Sequence, residues 1–227
     1  MRAMILAAGR GERLRPLTET TPKPLVEAGG KPLIVRHLER LAAAGFRDVI
    51  VNVSHLAQKI IDHLGDGASF GVRIRYSREA EPLETAGGIA YARELLGPSP
   101  FLLLNADIYC DYPFARLAAH ELGAQLAHLV LVPNPEHRKQ GDFSLVGSMV
   151  GTLSRPRHTY SGVAVVAPDL TAGVTRGSRA ALGPLLVAAA TASALSGELY
   201  QGLWSDVGTA VRLADLEAQL ARRGGAP

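Results

Sequence analysis

Six apolar residues, Ala3 to Ala8, run without a polar break into Gly9, and a second glycine follows at position 11. A short, uninterrupted apolar run is the pattern of a strand buried on both faces. Such a strand needs cover above and below, so the chain must supply helices to both sides of a sheet. Its later segments are suited to that. Leu33, Val35, Leu38, Leu41 and Ala42 recur at helical spacing before Gly45, and Leu56, Ile60, Ile61 and Leu64 do so before Gly65. Val49–Val53 and Val72–Tyr76 alternate as strands, a helix is expected from about Thr85 to Leu96, and Phe101–Leu104 is a second wholly apolar run. Strands alternating with helices imply an α/β fold, Rossmann-like, three layers deep, around a mostly parallel central sheet.

Beyond residue 110 the order loosens. The pattern predicts a helix near 113–122, a strand at 126–132, short antiparallel strands around 143–154 and 162–167, and a largely helical 179–195. A strand near 198–204 and a helix from Thr209 to Ala221 complete the chain. No repeat, low-complexity tract or composition break marks a linker, so residues 1–227 are expected to form one domain. With 47% hydrophobic and 20% charged residues, a sizeable core can be buried. The weakly polar stretch 182–195 contains Gly183, Pro184, Thr191 and Ser193 and falls short of the roughly 18 apolar residues of a spanning helix. The apolar start is also too short for a secretory core, and no membrane role is expected. One cysteine, Cys110, excludes an internal disulfide and a cysteine-built zinc site, which makes a cytoplasmic location the expectation.

The loop after the first strand carries the chemistry. It reads Leu6-Ala-Ala-Gly-Arg-Gly-Glu-Arg-Leu-Arg-Pro-Leu-Thr18 and continues to Pro22-Lys23-Pro24-Leu25. Glycines directly after a buried strand let backbone N–H groups face an anion. Arg13 and Lys23 add full positive charges, and the flanking prolines restrict the backbone around Lys23. A dinucleotide fingerprint would need glycine where Leu14 stands, and a Walker A loop fails because Gly30-Lys31 precedes Pro32. Residues 1–31 carry six basic and three acidic side chains, so the whole +3 excess lies there; the remaining 18 basic and 18 acidic side chains cancel. That distribution, without a basic stripe or interleaved aromatics, gives no nucleic-acid surface. The histidines form no H-x-x-x-H pair, and no G-x-S-x-G elbow is present.

The string L-A-A-G-x-G-x-R-L-x-P-L-T with P-K-P-L resembles the signature of the sugar-1-phosphate nucleotidyltransferases. The resemblance continues through Glu81-Pro-Leu-Glu-Thr-Ala-Gly87-Gly88, Leu104-Asn-Ala-Asp107, Tyr160-Ser-Gly162 and Trp204-Ser-Asp-Val-Gly-Thr209, and so covers nearly the whole chain. It implies the nucleotidyltransferase fold in a catalytic domain, and attack of a sugar-1-phosphate oxygen on the α-phosphorus of a nucleoside triphosphate. A phosphomonoester is largely a dianion at neutral pH, so that step needs positioning and charge neutralisation more than a general base. By the resemblance, Arg13, Lys23, Asp107 and Asp206 are catalytic, with Asp107 and Asp206 as ligands of Mg²⁺, whose preferred shell is all oxygen. Ala8, Gly9, Gly11, Glu12, Arg13, Lys23, Glu81, Thr85 and Gly87 are expected to hold the nucleotide.

An ionised carboxylate at position 81 accepts hydrogen bonds, which suits the N3–H of uracil or thymine. Thr85 is read as an N-cap, and Gly87-Gly88 as room for close approach to base or sugar. On the acceptor side the match points to Asn105, Asp142, Ser161, Gly162 and Glu198. Longer relatives often carry a lysine in an E-K-P pattern that grips the sugar phosphate. Here the string is Ser154-Arg-Pro-Arg157, so Arg155 or Arg157 is the substitute expected. The likeness is nearest to short bacterial members that use UTP on N-acetylmuramate 1-phosphate in peptidoglycan recycling. The alternatives are uridylyl, thymidylyl or guanylyl transfer to another hexose or heptose 1-phosphate, or a sensor that binds without turnover. A monomer or weak dimer is expected.

Overall fold

The structure, a computed structural model, describes residues 1–153 and 155–224. Ser154 of the Ser154–Arg157 string lies outside them. The order begins with β1 (Arg2–Leu6), α1 (Leu17–Thr20), a small ribbon of β2 (Glu27–Ala28) and β3 (Lys31–Pro32), α2 (Leu33–Ala43), β4 (Asp48–Val53), α3 (Ala57–Leu64) and β5 (Arg73–Arg78). It continues with α4 (Glu84–Tyr91), α5 (Arg93–Leu96), β6 (Phe101–Asn105), β7 (Ile108–Cys110), α6 (Ala115–Ala118) and β8 (Ala127–Val132). The last elements are β9 (Phe143–Val146), β10 (Met149–Gly151), β11 (Arg157–Val166), α7 (Leu182–Thr191), β12 (Leu195–Leu199), β13 (Trp204–Asp206) and α8 (Ala210–Gly224).

Nine strands form one sheet in the order β5-β4-β1-β6-β11-β8-β12-β10-β9. The strands β5, β4, β1 and β6 are parallel, as fully buried runs joined by helices should be. From β6 onward the sheet is mixed. β11 runs antiparallel to both β6 and β8, β12 returns parallel to β8, and the β9–β10 hairpin closes back onto β11. The expected mostly parallel sheet is therefore confined to one half. The reason is connection length: no helix crosses over between β8 and β11, and parallel neighbours need such a crossover.

Side chains alternate along the strands into two cores. Ala3, Ile5, Val49, Val51, Leu102 and Leu104 face α2 and α3, whereas Met4, Ile50, Phe101 and Leu103 face α4, α5 and α7. The helix expected over 113–122 shortens to the single turn α6, and the one expected from Thr85 begins at Glu84 and breaks at Ala92. A third, smaller core joins Leu14 of the glycine loop, Ala28 and Leu33 to Val207 and Leu216, so α8 packs beneath the loop.

The strand order places the site. From β1 the chain steps outward to β4 and β5, then returns to β6 on the other side of β1. Ligands of open α/β sheets bind at such a reversal, beyond the C-terminal ends of the strands. Here those ends carry the glycine loop after Leu6 and the segment 105–107 after β6.

Candidate active site

Three chambers open side by side at this reversal. The first is lined by Ala7, Ala8, Gly9 and Gly11 together with Thr85, Asn105 and Asp107. The second holds Arg10, Glu12, Arg13, Lys23, Glu81 and Arg179. The third holds Arg13, Asp107, His137, Arg138, Asp206 and Arg212, along with Asn105, Tyr160, Ser161 and Trp204. Lys23 is common to the first two, Asp107 to the first and third, and Arg13 to the second and third. The sequence-distant residues Arg13, Lys23, Asp107 and Asp206 are thus brought to one cleft.

The glycine loop is pinned on one side and open on the other. Ala7 N–H donates to Asn52 Oδ1 at 2.7 Å, which ties the end of β1 to β4. Gly11 has φ of 67°, and a Cβ there would stand 3.0 Å from Thr18 and 3.1 Å from Lys23. The buried Thr18 hydroxyl donates to the Gly11 carbonyl at 2.8 Å. A Cβ on Gly9 would instead meet no protein atom within 4 Å. The bare backbone at position 9 faces the first chamber, as a loop that receives an anion requires. Leu14 is buried against α8, which sets the turn Glu12–Leu14 and directs Arg13 to the join between the second and third chambers.

The segment 79–88 forms the far wall. Glu81 lines the second chamber and Thr85 the first. Thr85 is not a cap: α4 begins at Glu84 with Leu83 in the N-cap position, and no side chain caps it. Glu84 holds the left-handed φ of 62° that favours glycine, and pairs with Arg179 at 3.3 Å. Gly87 also differs from expectation. It is buried, and its bare Cα accommodates the backbone of Ser178–Ala180, whose Ala180 carbonyl accepts the N–H groups of Ala86 and Gly87 at 2.9 and 3.0 Å. Gly88 packs on Asn52 and Glu79 in the same way.

Sequence reasoning missed that last pair. Asn52 Nδ2 donates to Glu79 Oε1 at 2.7 Å, and Leu83 N–H donates to Glu79 Oε2 at 3.0 Å. Asn52 thereby links the glycine loop to the 79–83 wall. Glu79 is 5% exposed and has no cation partner among the described residues, and burial pushes its pKa up.

Asp107 and Asp206 are positioned by the β7–β13 ribbon, in which Asp206 pairs with Ile108. Val207 N–H donates to the Asp107 carbonyl at 2.8 Å. Each carboxylate has a cation: Lys23 pairs with Asp107, and Arg212 of α8 with Asp206. His137 Nε2 lies 3.1 Å from Asp206 Oδ1 and 2.8 Å from Arg212 Nη1. Gly208 leaves room for the guanidiniums of both Arg212 and Arg13, which a Cβ would strike. Among the described residues no group of three or more His, Cys, Asp or Glu could hold a metal ion. Asp107 and Asp206 line the third chamber beside Arg13, Arg138 and Arg212, an oxygen-only donor pair of the kind that fits a hard divalent cation whose other ligands come from substrate and water.

The acceptor residues divide. Asn105 lines the first and third chambers and touches Gly162, whose φ of 83° lies in a bulge of β11 between Tyr160 and Val163. Ser161 lines the third chamber, but its hydroxyl donates to the Val130 carbonyl at 2.6 Å, and its carbonyl accepts Trp204 Nε1–H at 2.8 Å. Asp142 sits behind the chamber and accepts Tyr160 N–H at 2.9 Å and Arg138 Nη1–H at 3.2 Å.

Glu198 is not in the cleft. Its carboxylate accepts Tyr112 Oη–H and Arg116 Nη2–H, each at 2.6 Å, with His128 Nε2 3.6 Å away. Arg157 turns to the Thr152 carbonyl, and Arg155 lines none of the three chambers. The cations of the third chamber are Arg13, Arg138 and Arg212, the last two unflagged by any motif.

The sequence profile of the nucleotidyl transferase family matches residues 2–146. The chain is 48% identical, over 96% of its length and 97% of the relative's, to the N-acetylmuramate alpha-1-phosphate uridylyltransferase of Neisseria meningitidis serogroup B. It is 40% identical to a mannose-1-phosphate guanyltransferase of Yarrowia lipolytica, over 77% of this chain but only 48% of that one, so it spans about half of that longer relative. Among solved structures, a Bacillus anthracis protein described as a glucose-1-phosphate thymidylyltransferase superposes with a TM-score of 0.85 at 19% identity, covering 98% of this chain and 96% of that one. HddC of Yersinia pseudotuberculosis superposes with a TM-score of 0.79 at 21% identity, over 96% of this chain and 99% of its own; both likenesses concern the fold. With the profile matching more than half of its residues and a relative nearly half identical from end to end, the chain belongs to the nucleotidyl transferase family.

Proposed function

We propose that residues 1–227 act as one catalytic domain that transfers a uridylyl group from UTP to N-acetylmuramate 1-phosphate, giving UDP-N-acetylmuramate and pyrophosphate. An oxygen of the sugar phosphate bonds to the α-phosphorus, the bond from that phosphorus to the bridging oxygen breaks, and pyrophosphate leaves with the electron pair. One observation carries the reading: Lys23 and Asp107 pair where the first chamber meets the second and third, so a nucleotide spanning the first two would present its α-phosphorus to an acceptor in the third. Identity of 48% to a uridylyltransferase along nearly the whole chain supports the choice of substrates.

The Gly9–Gly11 backbone, Arg10, Arg13 and Lys23 then hold the triphosphate and neutralise the leaving pyrophosphate. Glu81 accepts from N3–H of the base, and Asn105 contacts the sugar. Mg²⁺ held by Asp107 and Asp206 would add positive charge where negative charge builds on the phosphates. A cytoplasmic role in peptidoglycan recycling belongs to the same proposal; no helix among the described residues is long and apolar enough to cross a membrane.

The test is a grid of UTP, dTTP, GTP and ATP against N-acetylmuramate, glucose and mannose 1-phosphates, reading pyrophosphate release with and without Mg²⁺. Release is expected with UTP and N-acetylmuramate 1-phosphate in the presence of Mg²⁺. Release confined to GTP and mannose 1-phosphate would favour the guanyltransferase reading that the longer relatives suggest. Silence across the grid would leave a nucleotide-sensing domain.

A further inference from the structure

Three guanidiniums line the third chamber, beside the carboxylates of Asp107 and Asp206. Of its three guanidiniums, Arg212 is 15% exposed and committed to Asp206 and His137, and Arg13 stands beside it across Gly208 at the join with the second chamber. Those two suit the reacting phosphates. Arg138 belongs to a different element, the turn Glu136–Arg138, whose His137 meets Arg212 while Arg138 itself pairs elsewhere. Among the described residues its one ion pair is with Asp142, at 3.2 Å and half-exposed, an i,i+4 contact of small intrinsic worth.

The turn itself is well fixed. Arg138 N–H donates to the Pro135 carbonyl at 2.9 Å, Gly141 N–H to the Arg138 carbonyl at 3.2 Å, and Asp142 N–H to the His158 carbonyl at 2.8 Å. Asp142 stays in place through its bond from Tyr160 N–H whether or not Arg138 pairs with it. The result is a guanidinium on a rigid turn, lining the acceptor chamber, that can exchange a weak partner for a ligand anion. A planar fork of this kind matches a carboxylate two-handed.

N-acetylmuramate 1-phosphate carries two anionic groups at separate ring positions: the anomeric phosphate and the carboxylate of its lactyl ether. N-acetylglucosamine 1-phosphate is the same sugar without the lactyl group. We propose that Arg138 is a specificity residue, its guanidinium binding the lactyl carboxylate while Arg212 and Arg13 attend the phosphates. The inference rests on the uridylyl-transfer reading above and adds the feature by which the acceptor is selected.

The experiment compares kcat/KM for these two acceptors, at saturating UTP and Mg²⁺, in the wild type, Arg138→Ala and Arg138→Lys, with thermal melts of each. The wild type should favour the lactyl-bearing acceptor. Arg138→Ala should cut that preference at least about tenfold, mainly through KM of the lactyl-bearing acceptor, as loss of one charge-assisted contact predicts. Arg138→Lys, which keeps the charge but not the fork, should recover part of it. Equal losses with both acceptors would make Arg138 a phosphate ligand or a structural residue and overturn the proposal, as would a wild type that does not discriminate. A wild type inactive with every acceptor would instead overturn the transfer reading on which the proposal stands.

Discussion

Gly9 and Gly11 stand two residues apart, yet the fold uses them differently. A methyl group at position 9 meets only open space, so Gly9→Ala should leave the melting temperature unchanged while lowering kcat/KM for UTP at least tenfold. Unchanged kinetics would show that no ligand approaches this backbone. Gly11→Ala places a side chain at φ of 67° against Thr18 and Lys23 and should cost about 1–3 kcal/mol of stability, read by chemical denaturation.

A third residue, His37 on α2, is buried, with neither ring nitrogen paired among the described residues. Burial, reinforced by Arg40, lowers its pKa from 6.5 to about 4. Above pH 6.5 the imidazole is neutral folded or unfolded. As pH falls from there toward 4 the unfolded chain takes up a proton that the fold refuses, so stability drops, by up to about 3 kcal/mol. His37→Phe should flatten that part of the acid stability curve; an unchanged slope would remove His37 as its source.

Residues with local signals were legible in the sequence: glycines after a buried strand, and a lysine between prolines. Asn52 carried a faint one, as the polar residue within the apolar run Val49–Val53. His137, Arg138 and Arg212 carried none, because an exposed-looking basic residue becomes part of a site only when its turn or helix is docked. Glu198 erred the other way: its carboxylate is consumed by Tyr112 and Arg116, contacts about 80 residues distant that no local pattern encodes.

Among elements, α8 has two tasks. Its apolar face seals the third core beneath the glycine loop, and its first turn supplies Arg212 to Asp206. Leu216 is fully buried there, so Leu216→Ala should cost about 2–5 kcal/mol and, by loosening the seat of Leu14, also raise KM for UTP. A loss of stability with unaltered KM would separate the helix from the loop. The elements best foreseen were α2 and α3, whose apolar spacing ends at Gly45 and Gly65 with positive φ. Strand direction beyond β6 was harder to read, since it depends on which connections lack a crossover helix. β11 was seen only in its second half because the Gly162 bulge interrupts its alternation. Gly87 was assigned to a ligand contact because the 178–180 segment that covers α4 is invisible in local sequence, and Thr85 to a cap because local sequence does not reveal that the helix already starts at Glu84.

Taken as a whole, the molecule concentrates its charge at the reversal of its strand order. Arg10, Arg13 and Lys23 of the first 31 residues line the cleft, and Arg138, Arg179 and Arg212 add to them from distant parts of the chain. A cleft so lined should be stabilised by its ligand: UTP with Mg²⁺ at a hundredfold excess over Kd adds about 2.7 kcal/mol, visible as a rise in melting temperature. Asp107→Asn and Asp206→Asn should lose turnover while retaining the wild-type fold by circular dichroism.

The most direct measurement follows the phosphorus atoms themselves. With UTP, N-acetylmuramate 1-phosphate, Mg²⁺ and enzyme, ³¹P NMR should show one diphosphate diester and one pyrophosphate formed for each UTP consumed, with mass spectrometry giving the mass of UDP-N-acetylmuramate. Persistence of both substrates, or conversion of UTP to UMP and pyrophosphate with the sugar phosphate untouched, would contradict the account.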